Sequence, residues 1–354
     1  MSPNRPPPAA AVLGCAGAAL LPEERAFFAA ANPFGLILFA RNIQAPEAVR
    51  RLILDFRTLV GRPDAPVFID QEGGRVQRLR PPHWPALPAP GLIGALAASD
   101  KAAAIEAASL LGQAIAASVA PIGVDVACAP MADVRAPDAH AHVIGDRAYA
   151  SDPELVACLA AATEASLRAA GIATTPKHAP GHGRATLDSH HDLPHVSASL
   201  EELEADLAPF KAMTAAPIWM TAHIVYQALD PSAPATCSRL CLDWLRRETG
   251  YRGLIASDDL AMKALGGAVD ERARAAMAAG CDFVLYCPGD IQGGAAAIDG
   301  AGPLAPDAVA LWAAWTAQRP TPPADDPFAL ANRLWAMLEP APNLSAQVLT
   351  RPHA

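Results

Sequence analysis

Pro66-Val67-Phe68-Ile69-Asp70-Gln71-Glu72-Gly73-Gly74-Arg75-Val76-Gln77-Arg78 is the stretch that decides the fold. A short apolar run passes without a break into a cluster of charges. Such a run suits a strand buried on both faces of a parallel sheet, here one whose far end opens on polar groups. Working outward, the arrangement repeats. The predicted strand Gly123–Cys128 leads to Pro130-Met131-Ala132-Asp133 and, past a long loop, to Gly145-Asp146-Arg147. Gly171–Thr175 leads to Lys177-His178-Ala179-Pro180-Gly181-His182-Gly183 and then to Asp188-Ser189-His190-His191-Asp192. Ile218–Thr221 ends in Ala222-His223, and Gly253–Ala256 in Ser257-Asp258-Asp259.

Ala10–Gly14, Gly35–Phe39 and Asp282–Tyr286 bring the predicted strands to eight. Between them lie alanine-rich, helix-like stretches: Pro22–Ala30, Pro46–Val60, Ser99–Val119, Pro153–Ala170, Leu200–Ala215, Leu240–Thr249, Asp259–Ala279 and Pro306–Ala317. Ser99-Asp100, Ser151-Asp152-Pro153 and Ser199 before Glu201-Glu202 are helix start signals, and Gly171 and Gly280 stand where C-terminal caps belong. The alternation is that of an α/β protein, and its count is that of a single-domain (β/α)8 TIM-type barrel. Residues 1–338 are read as one catalytic barrel and 339–354 as a loose C-terminal tail. A doubly wound sheet fits the alternation too, but no G-x-G-x-x-G follows any strand.

The 354-residue chain is 52% hydrophobic and 18% charged, enough apolar surface to bury a sizeable core. A net charge of −9 argues against nucleic acid or an anionic membrane as partner. Seven cysteines without a C-x-x-C suit a reducing compartment. Val12-Leu13-Gly14-Cys15 has the look of a lipoprotein cleavage site, but the apolar run before it is short, and a first strand is the preferred reading. No run of eighteen apolar residues is present, so the expectation is a cytoplasmic protein without a membrane partner. The 35 prolines are about twice the ~5% average and predict stiff, irregular loops.

Five strand ends carrying charged or imidazole groups point to one site, because barrel chemistry sits at the C-terminal ends of the strands. Each cluster also has a plain structural reading. Asp258 and Asp259 suit a helix N-cap, and Gly73-Gly74 suits a turn. His178, His182, His190 and His191 invite a metal, but Pro180 and Gly181 break the helical spacing that H-E-x-x-H requires, and no metal is expected. As chemistry, Asp258 supplies a carboxylate able to attack carbon or stabilise positive charge. Asp188 and His190 stand two apart, on one side of an extended segment, and a carboxylate beside an imidazole favours a general acid near neutral pH. Asp70, Arg78, Arg147, Lys177 and His178 suit a polyhydroxylated ligand. The pattern implies a hydrolase or transferase without naming its substrate.

D-Q-E-G-G-R-V-Q-R from Asp70, K-H-x-P-G-H-G from Lys177, D-S-H from Asp188 and S-D-D-L-x-M-K from Ser257 together resemble the family 3 glycoside hydrolases, specifically the single-domain bacterial β-N-acetylhexosaminidases of peptidoglycan recycling. Gly35–Ile43, Val143–Arg147 and Thr221-Ala222-His223 match the same group in order. The resemblance implies a retaining mechanism on a (β/α)8 barrel, with no cofactor. By position Asp258 is similar to the family's nucleophile, His190 to its acid/base and Asp188 to the dyad partner. Asp70, Arg78, Arg147, Lys177 and His178 match positions that hold N-acetylglucosamine. The choice of Asp258 over Asp259 rests on this match alone. The implied substrate is a small saccharide or muropeptide: β-linked N-acetylglucosamine on anhydro-N-acetylmuramic acid. A phosphorylase or β-glucosidase of the same family is the alternative. Ala179, His142 and Met131 depart from the family pattern without touching a proposed catalytic group.

Overall fold

A computed structural model describes residues 6–137, 143–187, 189 and 192–339. Among them, nine strands form one parallel sheet that curls through the molecule, with helices packed against it. Across the sheet the order is Ala173–Thr174, Val126–Ala127, Val67–Ile69, Pro33–Leu38, Ala9–Leu13, Phe283–Tyr286, Leu254–Asp259, Ile218–Thr221 and Lys177–Ala179. The strands are buried throughout at their starts and middles, as parallel strands covered by helices must be. Ala9–Leu13 is fully within the sheet and Cys15 is buried behind it, in line with the first-strand reading.

The predicted fifth strand is split. Ala173–Thr174 pairs with Val126–Ala127 on one side, and Lys177–Ala179 pairs with Ile218–Thr221 on the other. Pro176 stands between the halves; it has no N–H to donate, and its carbonyl accepts from Met220 N at 3.1 Å. The Lys177-His178 stretch, expected as loop, is therefore strand, and this fixes the direction of both side chains.

Phe34, Phe68 and Phe283 fill the sheet interior near its strand starts, with ring centroids 5.1 and 5.9 Å apart for the two pairs that Phe283 makes. The polar residues sit at the opposite end. The helix Lys101–Val119 packs on Pro153–Ala169 and Pro327–Leu338. Alanine and glycine make that packing close: a Cβ on Gly112 would lie 2.5 Å from the Thr163 carbonyl oxygen. Asp100 caps this helix by accepting from Ala103 N at 2.9 Å, and Ser199 and Glu202 close a capping box on Leu200–Asp206. The stretch Lys101–Ile122 is long and apolar enough by composition to cross a bilayer, and two-thirds of it is buried inside the protein.

Three helical expectations are corrected. The helix predicted over Leu200–Ala215 breaks into Leu200–Asp206 and Ala208–Lys211, where Pro209 cannot donate an N–H. The helix predicted from Asp259 begins at Val269, because the strand runs on to Asp259 and a turn containing Gly266-Gly267 intervenes. Helices Pro90–Leu96 and Ile291–Ala301 were not expected; glycines at 91, 94, 293, 294 and 300 hide them from propensity, although Asp290 caps the second through Gly293 N at 2.7 Å.

Candidate active site

At the C-terminal ends of the strands lies a cavity of about 480 Å³ lined by Asp70, Glu72, Arg78, Arg147, Lys177, His178, Asp258 and Asp259, with Phe39, Met220, Met262 and Cys287 among its apolar neighbours. Six of the expected site residues thus meet in one place. Asp188 and His190 lie outside the described residues. Ser189 is described: its Oγ is 3.3 Å from His182 Nε2, and its carbonyl accepts from Ala264 N at 3.2 Å.

The turn at Gly73-Gly74 proves to be a working part. Gln71–Gly73 and Val76–Gln77 form an antiparallel hairpin, and both glycines have positive φ, 101° and 57°. The hairpin returns Arg78 to the strand end, where its Nη2 donates to Asp70 Oδ2 at 2.9 Å. Lys177 Nζ bridges Asp70 Oδ1 and Glu72 Oε1, each at 2.7 Å. Arg147 donates from Nε and Nη2 to the two oxygens of Glu72, at 2.9 and 2.8 Å. Burial pushes both carboxyls up, but Lys177 and the arginines outweigh it: Asp70 is held well below the carboxylate range and Glu72 comes down to about 2. Burial likewise opposes the Lys177 charge, and Asp70 and Glu72 hold its ammonium above the ordinary range.

The facing wall is built from imidazoles and carboxylates. Asp258 Oδ1 accepts from Asp259 N at 2.8 Å, and Oδ2 lies 3.9 Å from His178 Nε2. Burial acts to raise the Asp258 carboxyl, but His178 and His223 beside it bring it below its usual value, so it stands ionised. Asp259 is pushed up to about 6 by burial, and the neighbouring Asp258 charge adds to the rise. Its Oδ1 accepts from Ala261 N at 3.0 Å and Cys287 N at 3.1 Å. Asp258 caps no helix: it lies in the strand Leu254–Asp259, and the next helix has Ala268 as its N-cap.

Three residues around the cavity were not among the expected site residues. Glu72 organises Lys177 and Arg147. Asp133 binds His178 Nδ1 at 2.9 Å and the backbone N–H groups of His178 and His182 at 3.0 and 2.7 Å. His223 Nε2 is 3.0 Å from the Asp259 carbonyl, an acceptor only, so Nε2 carries a proton; Nδ1 lies 2.8 Å from Thr236 Oγ1. Burial lowers the His223 pKa, in keeping with a neutral ring. Asp133 and His223 both stand in strand-end clusters, which is the signal that marks them. Among the described residues, no three His, Cys, Asp or Glu are grouped to hold a metal ion.

Residues 17–309 match the glycosyl hydrolase family 3 N-terminal domain. A beta-hexosaminidase of Alkalilimnicola ehrlichii is 43% identical over 282 residues, covering 78% of this chain and 80% of that protein. A beta-hexosaminidase of Pseudomonas aeruginosa is 40% identical over 280 residues, covering 78% and 81%. The crystal structure of NagZ from Neisseria gonorrhoeae in complex with N-trifluoroacetyl-D-glucosamine superposes with a TM-score of 0.82 at 34% identity, over 95% of this chain and 97% of that one. A family 3 beta-N-acetylglucosaminidase from Paenibacillus also gives 0.82, at 29% identity, over 93% of this chain and 67% of that one. The chain belongs to glycoside hydrolase family 3 and is a glycoside hydrolase.

Proposed function

We propose that the enzyme is a retaining exo-β-N-acetylglucosaminidase that removes β-linked N-acetylglucosamine from anhydro-muropeptides during cytoplasmic peptidoglycan recycling. The carrying observation is an ionised Asp258 facing a cavity whose other wall is a fixed array of cations and carboxylates. The cavity volume is within the ~300–1,000 Å³ usual for small ligands, and paired charges of both signs suit hydroxyl groups. The relative bound to N-trifluoroacetyl-D-glucosamine supports an N-acyl glucosamine ring in that space. Residues 1–338 are read as one (β/α)8 barrel; the split strand, bonded to one neighbour by each half, supports closure of the sheet.

In this reading Asp258 Oδ2 attacks the anomeric carbon while His190, oriented by Asp188, protonates the departing glycosidic oxygen. The glycosyl-Asp258 ester is then cleaved by water, which His190 deprotonates. Asp70, Arg78, Arg147, Lys177 and His178 hold the sugar hydroxyls and acetamide.

The test is release of chromophore from an aryl β-N-acetylglucosaminide. The wild type is expected to turn over with the β-anomer as first product, and Asp258→Ala to lose at least about 10³-fold in kcat. Equal rates for the two would sink the nucleophile assignment. Digestion of muropeptides with and without phosphate completes the test: a phosphate requirement with sugar-1-phosphate as product would replace hydrolysis by phosphorolysis.

A further inference from the structure

We infer that Asp133 is a positioning residue, holding His178 by backbone and ring together so that one chosen nitrogen faces the substrate cavity beside Asp258.

Asp133 follows the strand Val126–Ala127 and is wholly buried. Its segment runs along the split strand: Ala132 N donates to the Lys177 carbonyl at 2.9 Å, and Met131 bridges Lys177. Both carboxylate oxygens are in use. Oδ1 accepts the His178 and His182 backbone N–H groups, and Oδ2 meets His178 Nδ1. A ring held at its backbone and at Nδ1 has little freedom left in either torsion. An ionised carboxylate only accepts, so Nδ1 must carry a proton. Nε2 is thereby the nitrogen turned to the cavity, 3.9 Å from Asp258 Oδ2. His223, on the other side of Asp258, is held the opposite way, protonated at Nε2. The two histidines flanking the carboxylate are thus fixed in complementary tautomers by two different acceptors.

A purely structural Asp133 would be replaceable. Asparagine keeps an oxygen for the two backbone N–H groups and removes a buried charge. What it cannot do is accept from Nδ1 with its amide nitrogen. Asp133→Asn therefore separates the two roles.

The inference rests on His178 contacting substrate, but one readout does not depend on turnover. Nitrogen-15 NMR of histidine-labelled wild type is expected to show His178 protonated at Nδ1, and Asp133→Asn to move that proton to Nε2. With the aryl glycoside, kcat/KM of Asp133→Asn should fall roughly 10- to 100-fold, the scale of one hydrogen bond to a charged group, while the melting temperature stays close to wild type. In a His178→Ala background the same substitution should cost nothing further. An unprotonated Nδ1 in wild type overturns the assignment, with no substitution needed to read it. So does an undiminished penalty in the His178→Ala background. A wild type inactive on the glycoside but protonated at Nδ1 would strike the functional reading and support the role of Asp133.

Discussion

The two walls of the cavity use the same kinds of residue in opposite ways. On one, Asp70, Glu72, Lys177, Arg78 and Arg147 interlock, every carboxylate oxygen facing at least one cation within 3 Å. The Asp70 and Glu72 carboxyls are held low and the Lys177 ammonium high, so this wall keeps one charge state and one shape over the working pH range. On the other, Asp258 faces imidazoles instead of cations. Burial lowers the pKa of His223, and the neighbouring Asp259 is pushed up to about 6. A carboxylate locked to lysine and arginine is a poor nucleophile, because its electron pairs are committed. One that is kept ionised by imidazoles retains an oxygen free to react. The first wall is suited to holding a sugar, the second to chemistry.

The largest effect should come from breaking the ionic wall at its bridge. Lys177→Met fills the same space but leaves Asp70 and Glu72 to share a buried site without their common ammonium. Loss of one partner from a buried ion pair costs about 3–5 kcal/mol, and urea denaturation at pH 7.5 should find a loss of that size. A loss below about 1 kcal/mol would mean that the arginines alone neutralise this wall. Glu72→Gln is the milder version. It removes the acceptor pair that Arg147 grips, while Lys177 keeps Asp70, so a loss of about 1–3 kcal/mol is expected at neutral pH. The sign with pH follows from Glu72 being depressed to about 2. Its stabilisation is present above the ordinary carboxylate value and is lost as pH falls toward 2, so wild type and Glu72→Gln should converge in acid. Parallel curves would show that the contribution is packing and not charge.

How much of this was legible in the sequence differs between the walls. The strand positions were readable because each apolar run stopped at a polar cluster, and Asp70, Lys177 and Asp258 were readable for the same reason. What those residues pair with was not. Glu72 acquires its role from Arg147, 75 residues on, and Asp133 from His178, 45 residues on, and no local pattern encodes which carboxylate meets which cation. The boundary errors have a common cause in backbone chemistry. Asp259 looked like a helix start because Ser257-Asp258-Asp259 has cap composition, whereas pairing with Phe283–Tyr286 extends the strand through it. The helix Ile291–Ala301 was hidden by its glycines, two of which exist for close packing: a Cβ on Gly293 would fall 1.9 Å from the Tyr286 hydroxyl, and one on Gly300 2.2 Å from the Asp270 carbonyl.

The smallest effect is the most discriminating for the reactive wall. Asp259 is raised from 3.8 to about 6, chiefly by burial, so the folded state binds a proton there more tightly than the unfolded chain does. Stability from this group is therefore greatest in acid, falls as pH rises between about 4 and 6, and is fully lost above that window. Asp259→Asn keeps an oxygen for Ala261 N and Cys287 N and has no charge to bury. It should be more stable than wild type by about 1–2 kcal/mol at pH 7.5 and equal to it near pH 4, read from urea melts at the two values. Turnover of the aryl glycoside should survive, since Asp258 keeps the Asp259 N–H and its free oxygen. A variant that gains stability but loses turnover would transfer the nucleophile from Asp258 to Asp259. One that loses stability at both pH values would show that Asp259 is charged and paired in the fold, and the contrast between the two walls would fail on that side.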